Sequence, residues 1–181
     1  MPLCIVYPSS LGHLCLSYVG AGQDAEEVAS AVVPSGVPHR VVDADVLPQD
    51  FTYQRAWVID FSDPESAVSV DPAIAAEIDA ELAIEELDKW FESELAEGVT
   101  TAGGWTLGMS QEDVSLLTGN FVLAKEAAAL GMPVPPIIDA DGVPHEMSGI
   151  EELTAIMLAY GQRRAELSAE YAAKKAEILG G

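Results

Sequence analysis

The sequence predicts an α+β protein: a small ββαββ N-terminal module over 1–61, a linker over 62–71, and a C-terminal three-helix module with a minor β-sheet or hairpin over 72–181. Three observations carry this. Residues 1–23 hold no Asp, Glu, Lys or Arg and fall into two apolar runs around Pro8-Ser9-Ser10-Leu11-Gly12. Asp71-Pro72 joins an N-cap acid to a proline at the first helical position. Two later stretches, Ser110-Gln111-Glu112-Asp113 and Ser148-Gly149-Ile150-Glu151, have capping-box chemistry and open apolar periodic runs.

Leu3–Tyr7 and His13–Val19 read as strands joined by turn residues, hence a hairpin. Gln23–Val33 reads as a helix, with Asp24, Glu26 and Glu27 complementing its N-terminal dipole and Val28, Ala31 and Val32 as its apolar stripe. Pro34-Ser35-Gly36 ends it. Val37–Val42 reads as a third strand and Leu47-Pro48-Gln49-Asp50 as a turn. Tyr53–Phe61 reads as a fourth strand, with Trp57, Ile59 and Phe61 on one face. A module of this size needs a neighbour or partner to pack on. Ser62–Val70 is polar, contains Pro64 and shows no period, so it reads as the linker.

The helix from Pro72 runs to Glu97 and stops at Gly98. Ile74, Ile78, Leu82, Leu87, Phe91 and Leu95 form its stripe, joined by Trp90. It carries nine acids and one base, Lys89. That composition suits a solvated face, or an electrostatic docking face for a basic partner. Trp105-Thr106-Leu107 reads as a short strand entered through Gly103-Gly104. Trp105 is expected to be buried between the helix that follows and the final one. In that following helix Val114, Leu117, Phe121, Ala124 and Ala128 share one face, with Leu116, Leu123 and Leu130 beside them. Gly131 and Pro133 end it. Ile137-Ile138-Asp139 and Val143–Met147 flank Ala140-Asp141-Gly142, the strongest hairpin signal in the chain.

The final helix places Ile150, Leu153, Met157, Tyr160, Leu167, Tyr171 and Ile178 on one heptad-like seam. From Leu153 to Ile178 this spans about 40 Å at 1.5 Å per residue, further than a small core requires. Arg163, Arg164, Lys174 and Lys175 are four of the eight basic residues. With Trp105, Leu167, Tyr171 and Ile178 they are the candidate interaction residues. They have two possible partners: the acidic helix of the same or a neighbouring subunit, or another chain meeting the distal half of the seam.

Thirty acids against eight bases leave a formal charge of −22. Nucleic acid and anionic membrane surfaces are disfavoured as partners, since both need basic patches. Solubility and affinity for basic proteins are favoured. A hydrophobic content of 49% supports a real core rather than global disorder. The uncharged N-terminus lacks a basic n-region and is broken by Pro2, Pro8 and Gly12, so a buried hairpin fits it better than a signal peptide. No other stretch approaches an uncharged membrane span. Cys4 and Cys15, the only cysteines, both fall on expected strands and read as small buried hydrophobes.

No residue set forms a catalytic constellation. Asp139, Asp141 and Gly142 share part of a calcium-loop pattern, but its closing glutamate is missing. His13, His39 and His145 lack metal-ligand spacing, and His145 reads as a packing or hydrogen-bonding residue of the hairpin. Asp43 and Asp45 fit a polar turn. Gly103-Gly104 is followed by no phosphate-loop lysine. Ser9 and Ser10 lack a nucleophile-elbow context. No enzyme, cofactor or metal is expected from these residues.

The stretch containing Glu97-Gly98, Thr100-Thr101-Ala102-Gly103-Gly104-Trp105-Thr106-Leu107, Asp141-Gly142, His145, Leu153 and Tyr160-Gly161 resembles an uncharacterised domain of proteins encoded beside tail-fibre genes of tailed bacteriophages. The N-terminal residues Ile5-Val6-Tyr7-Pro8, Val33-Pro34-Ser35-Gly36-Val37-Pro38, Val41-Val42-Asp43, Leu47-Pro48 and Arg55-Ala56-Trp57 resemble a short phage module from the same gene neighbourhoods. Phe51-Thr52-Tyr53 matches only approximately. The resemblance implies a structural or adaptor protein of the virion near the tail fibre or distal tail. Such a protein would be assembled in the host cytoplasm and would act on other phage tail or fibre proteins, with a homo-oligomer possible. It supplies no catalytic residues. A tail-fibre assembly chaperone not retained in the virion is the alternative. A glycan hydrolase is a third reading, for which two carboxylates cannot be chosen from thirty acids.

Overall fold

In the computed structural model, which describes residues 2–180, strand β1 (Leu3–Pro8) is the centre of a three-stranded antiparallel sheet in the order β2-β1-β3, with β2 Leu14–Tyr18 and β3 Arg40–Asp43. Here both faces of β1 are covered, and Cys4, Ile5 and Val6 are all fully buried. Cys4 and Val6 join a cluster with Leu14, Leu47, Trp57 and Val68. Helix α1 (Ala25–Val32) also packs against β1. It starts at Asp24, whose carboxylate accepts from the backbone N–H of Glu26 and Glu27 at 2.8 and 3.2 Å. Cys4 lies opposite Tyr18 and Cys15 opposite Tyr7. Strand alternation therefore points the two thiols to opposite faces, and both are free.

The fold is α+β, but two expected N-terminal features differ. Tyr53–Phe61 is not one strand. Asp50 accepts from the N–H of Thr52 and starts a 3-10 segment, Phe51–Ala56; only β4 (Trp57–Val58) is extended. The period-two pattern of Trp57, Ile59 and Phe61 instead serves packing around the buried Trp57, against which Phe51 tilts with ring centroids 5.1 Å apart. The stretch expected as a linker over 62–71 is likewise part of the N-terminal core. Val68 is buried, and β5 (Ser69–Val70) pairs with β4. The Arg40 guanidinium donates to the carbonyls of Asp63, Pro64 and Ser66, so one side chain from β3 satisfies a loop without regular structure.

Helix α2 (Pro72–Glu97) starts where expected, with the Asp71 carboxylate accepting from Ala73 N–H at 2.8 Å. The chain divides into two units, Met1–Glu81 and Leu82–Gly181, so the division falls inside α2 rather than at 62–71. The first turns of α2 are tied to the first unit. Tyr53 hydroxyl donates to Asp79 at 2.7 Å and Arg55 pairs with Glu81 at 2.9 Å.

The second unit contains an internal duplication. Hairpin β6 (Val99–Thr100)–β7 (Thr106–Leu107) leads into α3 (Gln111–Ala129). Hairpin β8 (Ile137–Ile138)–β9 (Pro144–His145) leads into α4 (Ile150–Gly180). The cross-strand pairs Val99–Leu107 and Thr100–Thr106 recur 38 positions later as Ile137–His145 and Ile138–Pro144. So do the turn bonds. Thr101 N–H reaches Trp105 carbonyl and Gly104 N–H reaches Thr101 carbonyl; Asp139 N–H reaches Val143 carbonyl and Gly142 N–H reaches Asp139 carbonyl. Gly104 and Gly142 occupy the same left-handed turn position, with φ of 81° and 80°.

The duplication continues into the helices with the offset raised to 39 by the extra Gly149. The Asp113 carboxylate accepts from the N–H and hydroxyl of Ser110 at 3.0 and 2.6 Å. Glu152, with one more methylene to reach across the inserted residue, accepts from the same groups of Ser148 at 2.7 Å each. The glutamate of this cap is thus Glu152 rather than Glu151. One turn on, Ser115 and Thr154 hydroxyls donate back to the carbonyls of Gln111 and Ile150. Leu117 and Ile156, and Phe121 and Tyr160, are mates that pack in or against one core with Leu107, Met109, Ile137, Leu153 and Leu167.

Candidate functional site

Each hairpin faces the helix of the other half across a groove. The first groove, about 250 Å³, runs between Val99–Thr101 with Trp105 and the α4 residues Glu152, Ala155, Ile156 and Ala159. The second, about 240 Å³, runs between Ile137–Asp139 and the α3 residues Asp113, Leu116, Leu117 and Asn120. At offsets of 38 on the strands and 39 on the helices these linings are position-for-position mates, Trp105 excepted, since its mate Val143 does not line the second groove. The second unit thus presents one kind of groove twice, with different side chains.

In the first groove Trp105 is half-buried rather than enclosed between α3 and α4. It stacks on the His145 ring with centroids 4.3 Å apart and planes 10° from parallel. His145 Nε2 lies 2.8 Å from Asp139 Oδ2. The other oxygen, Oδ1, accepts from the N–H of Asp141 and Val143 at 2.9 and 2.8 Å. These donors stabilise the carboxylate, His145 first, and hold Asp139 below the ordinary carboxylate range. Both its oxygens are therefore engaged in closing the hairpin. The mate of Asp139 is Thr101, and that of His145 is Leu107, so the Asp–His pair belongs to the second hairpin alone. Among the described residues no group of three or more His, Cys, Asp or Glu side chains is placed to hold a metal ion, and no helix is long and apolar enough to cross a membrane.

In the second groove the large exposed side chains are Leu116 (61% exposed) and Ile138 (59%). Leu123 (62%) extends the row along α3, one heptad beyond Leu116. The mates of Leu116, Leu123 and Ile138 in the other copy are Ala155, Gln162 and Thr100, all exposed as well. The same scaffold position is thus filled without a large apolar group in one copy and with one in the other. Sequence periodicity set Leu116 and Leu123 beside the core face. Only their exposure in the structure separates them from it.

Two basic residues of α4, Arg163 and Lys174, engage α2 within the second unit. Arg163 pairs with Glu94 at 2.9 Å. The Tyr171 ring packs on Phe91 at 4.7 Å and its hydroxyl donates to Asp88 at 2.6 Å. Lys174 Nζ lies 3.6 Å from the Trp90 ring centroid and pairs with Glu170 at 2.9 Å. Lys175 donates to the Tyr171 hydroxyl at 3.0 Å, a bond that raises its ammonium pKa. As residue numbers fall along α2 they rise along α4, so the two segments run antiparallel. Burial raises the phenol pKa of Tyr160, beside which Arg164 lies, and the phenol donates to Gly108 carbonyl at 3.0 Å. Leu167 is fully buried and Ile178 half-exposed. Of the candidate interaction residues, Arg163, Leu167, Tyr171, Lys174 and Lys175 are therefore brought together along one seam, while Trp105 belongs to the hairpin groove. The chain matches no protein-family profile, no curated protein and no solved structure.

Proposed function

We propose that this chain is a structural or adaptor protein of a phage tail, near the tail fibre or distal tail, and that it acts by protein–protein assembly rather than by catalysis. The phage context comes from the sequence resemblance. The observation that carries the assembly reading is the exposed apolar row Leu116, Leu123 and Ile138 beside the second groove, in a chain of formal charge −22. Large apolar side chains grouped on a surface whose fold does not need them are a recognition feature. The acidic balance favours a protein partner over nucleic acid or an anionic membrane.

The test is immunodetection of the chain in purified virions. Presence at constant stoichiometry supports the adaptor role. Presence in infected-cell extracts with absence from particles would replace it with the alternative role of an assembly chaperone.

A further inference from the structure

We infer that the outer face of α3, with the adjoining edge of β8, is a docking surface for an amphipathic segment of another protein whose apolar side chains are flanked by Lys or Arg. The inference rests on the assembly reading and adds the chemistry of the partner; it does not depend on where in a particle the chain sits.

The duplication supplies an internal control. Leu116, Leu123 and Ile138 are mostly exposed, and the other copy of the scaffold holds Ala155, Gln162 and Thr100 at the same positions, also exposed. The ββα scaffold therefore folds without large apolar groups there. Leu116 and Ile138 stand on the two sides of a groove of about 240 Å³, so an apolar side chain entering between them would be covered from both sides.

Charge selects the occupant. Glu112 lies one turn before Leu116 and Glu126 one turn after Leu123, both exposed. They bracket the leucines about 21 Å apart along the helix. A second copy of this chain would bring the same acids, and a further −22 of net charge, onto the same seam. The one base of α3, Lys125, sits over the Phe121 ring, and Phe121 faces the core. A partner with cations flanking its apolar side chains meets both features at once: it buries the leucines and pairs with the acids.

The experiment titrates the full chain with a synthetic amphipathic helical peptide. The peptide carries leucines at heptad spacing and lysines about 21 Å apart; a second peptide has glutamate for each lysine. Each is measured against the wild type and against Leu116→Ala/Leu123→Gln/Ile138→Thr, which installs the residues of the other copy without changing charge. The expected result is binding of the basic peptide only, weakened about tenfold or more in the variant, with a melting temperature within about 4 °C of the wild type.

Equal binding to both proteins would mean that charge alone holds the peptide and would overturn the proposal. Binding of neither peptide, or a variant that melts far below the wild type, would overturn it too. So would a wild-type dimer in sedimentation that the variant converts to monomer, since the occupant is then a second copy. That last result leaves the assembly reading intact, whereas the virion measurement can fail whatever the peptides do.

Discussion

His145 lies flat against Trp105, with ring centroids 4.3 Å apart and planes 10° from parallel, and so joins two hairpins that are copies of one another. The stack closes a short chain of contacts. Asp139 closes its own turn and holds His145; His145 meets Trp105; Trp105 packs against the shared core. Ala140 N–H donating to Thr106 carbonyl at 2.9 Å links the hairpins through the backbone as well.

The lowered pKa of Asp139 gives this clasp a pH dependence of defined sign. A carboxyl whose folded-state pKa is depressed contributes stability that is present above its unfolded pKa and is lost as pH falls through the folded value. The loss should thus appear on the acid side of the ordinary carboxylate range. Asp139→Asn should flatten the stability profile between about pH 5 and pH 2. Urea midpoints measured across that range test this. A variant with the same acid limb as the wild type would show that Asp139 is not coupled to folding.

The Arg40 clamp predicts where the N-terminal unit opens. Its three carbonyl acceptors at Asp63, Pro64 and Ser66 hold a stretch that composition marks as loose. In the wild type the segment 62–70 should resist limited proteolysis. Arg40→Ala should make it the first site cut and should lower stability by about 1.5–3 kcal/mol, the range for hydrogen bonds that involve a charged group. Arg40→Lys should protect only in part, because an ammonium lacks the planar fork of donors. First cleavage elsewhere in Arg40→Ala would show that Val68 and the β4–β5 pair hold the segment unaided.

This clamp also shows where the sequence stops being informative. The polar run 62–70 looks like a linker because its satisfaction comes from a side chain more than 20 residues away, which no local pattern contains. Local signals fared better. Asp71-Pro72, Ser110 and the Ala140-Asp141-Gly142 turn each start or close the element they predict, since a cap or turn is decided within a few residues. The duplication was hard to read for a different reason. Its hairpins share only Ala102/Ala140, Gly104/Gly142, Met109/Met147 and Ser110/Ser148 as identical residues, and Gly149 shifts the register where the helices begin. What repeats is the geometry of turn, cap and core face, which is plain once the cross-strand pairs are known. The exposed apolar row is legible only in the structure, because Leu116 and Leu123 differ from core leucines in direction, not in type.

The final helix is held by other parts of its own chain. Its seam is long enough to suggest an intermolecular role, yet its distal contacts lie within the chain, on α2: Arg163 with Glu94, Tyr171 with Phe91 and Asp88, and Lys174 over Trp90. Leu167 is buried completely in the core that both hairpins share. Truncation after Arg164 should therefore destabilise the monomer, whatever it does to assembly. Leu167→Ala alone should cost about 2–5 kcal/mol, the range for emptying a packed leucine site. Leu158→Ala, at a position 70% exposed on the same helix, should cost less than about 0.5 kcal/mol. Salt separates the two kinds of contact. At about 1 M salt the screening length falls to about 3 Å, which weakens the half-exposed Arg163–Glu94 pair but not the Tyr171–Phe91 packing or the burial of Leu167. Chemical denaturation of the three variants at low and high salt should give the same ranking, with the Leu167→Ala deficit unchanged. A truncated chain as stable as the full one would show that the distal half of α4 is not held by α2, and its seam would then be free for another chain.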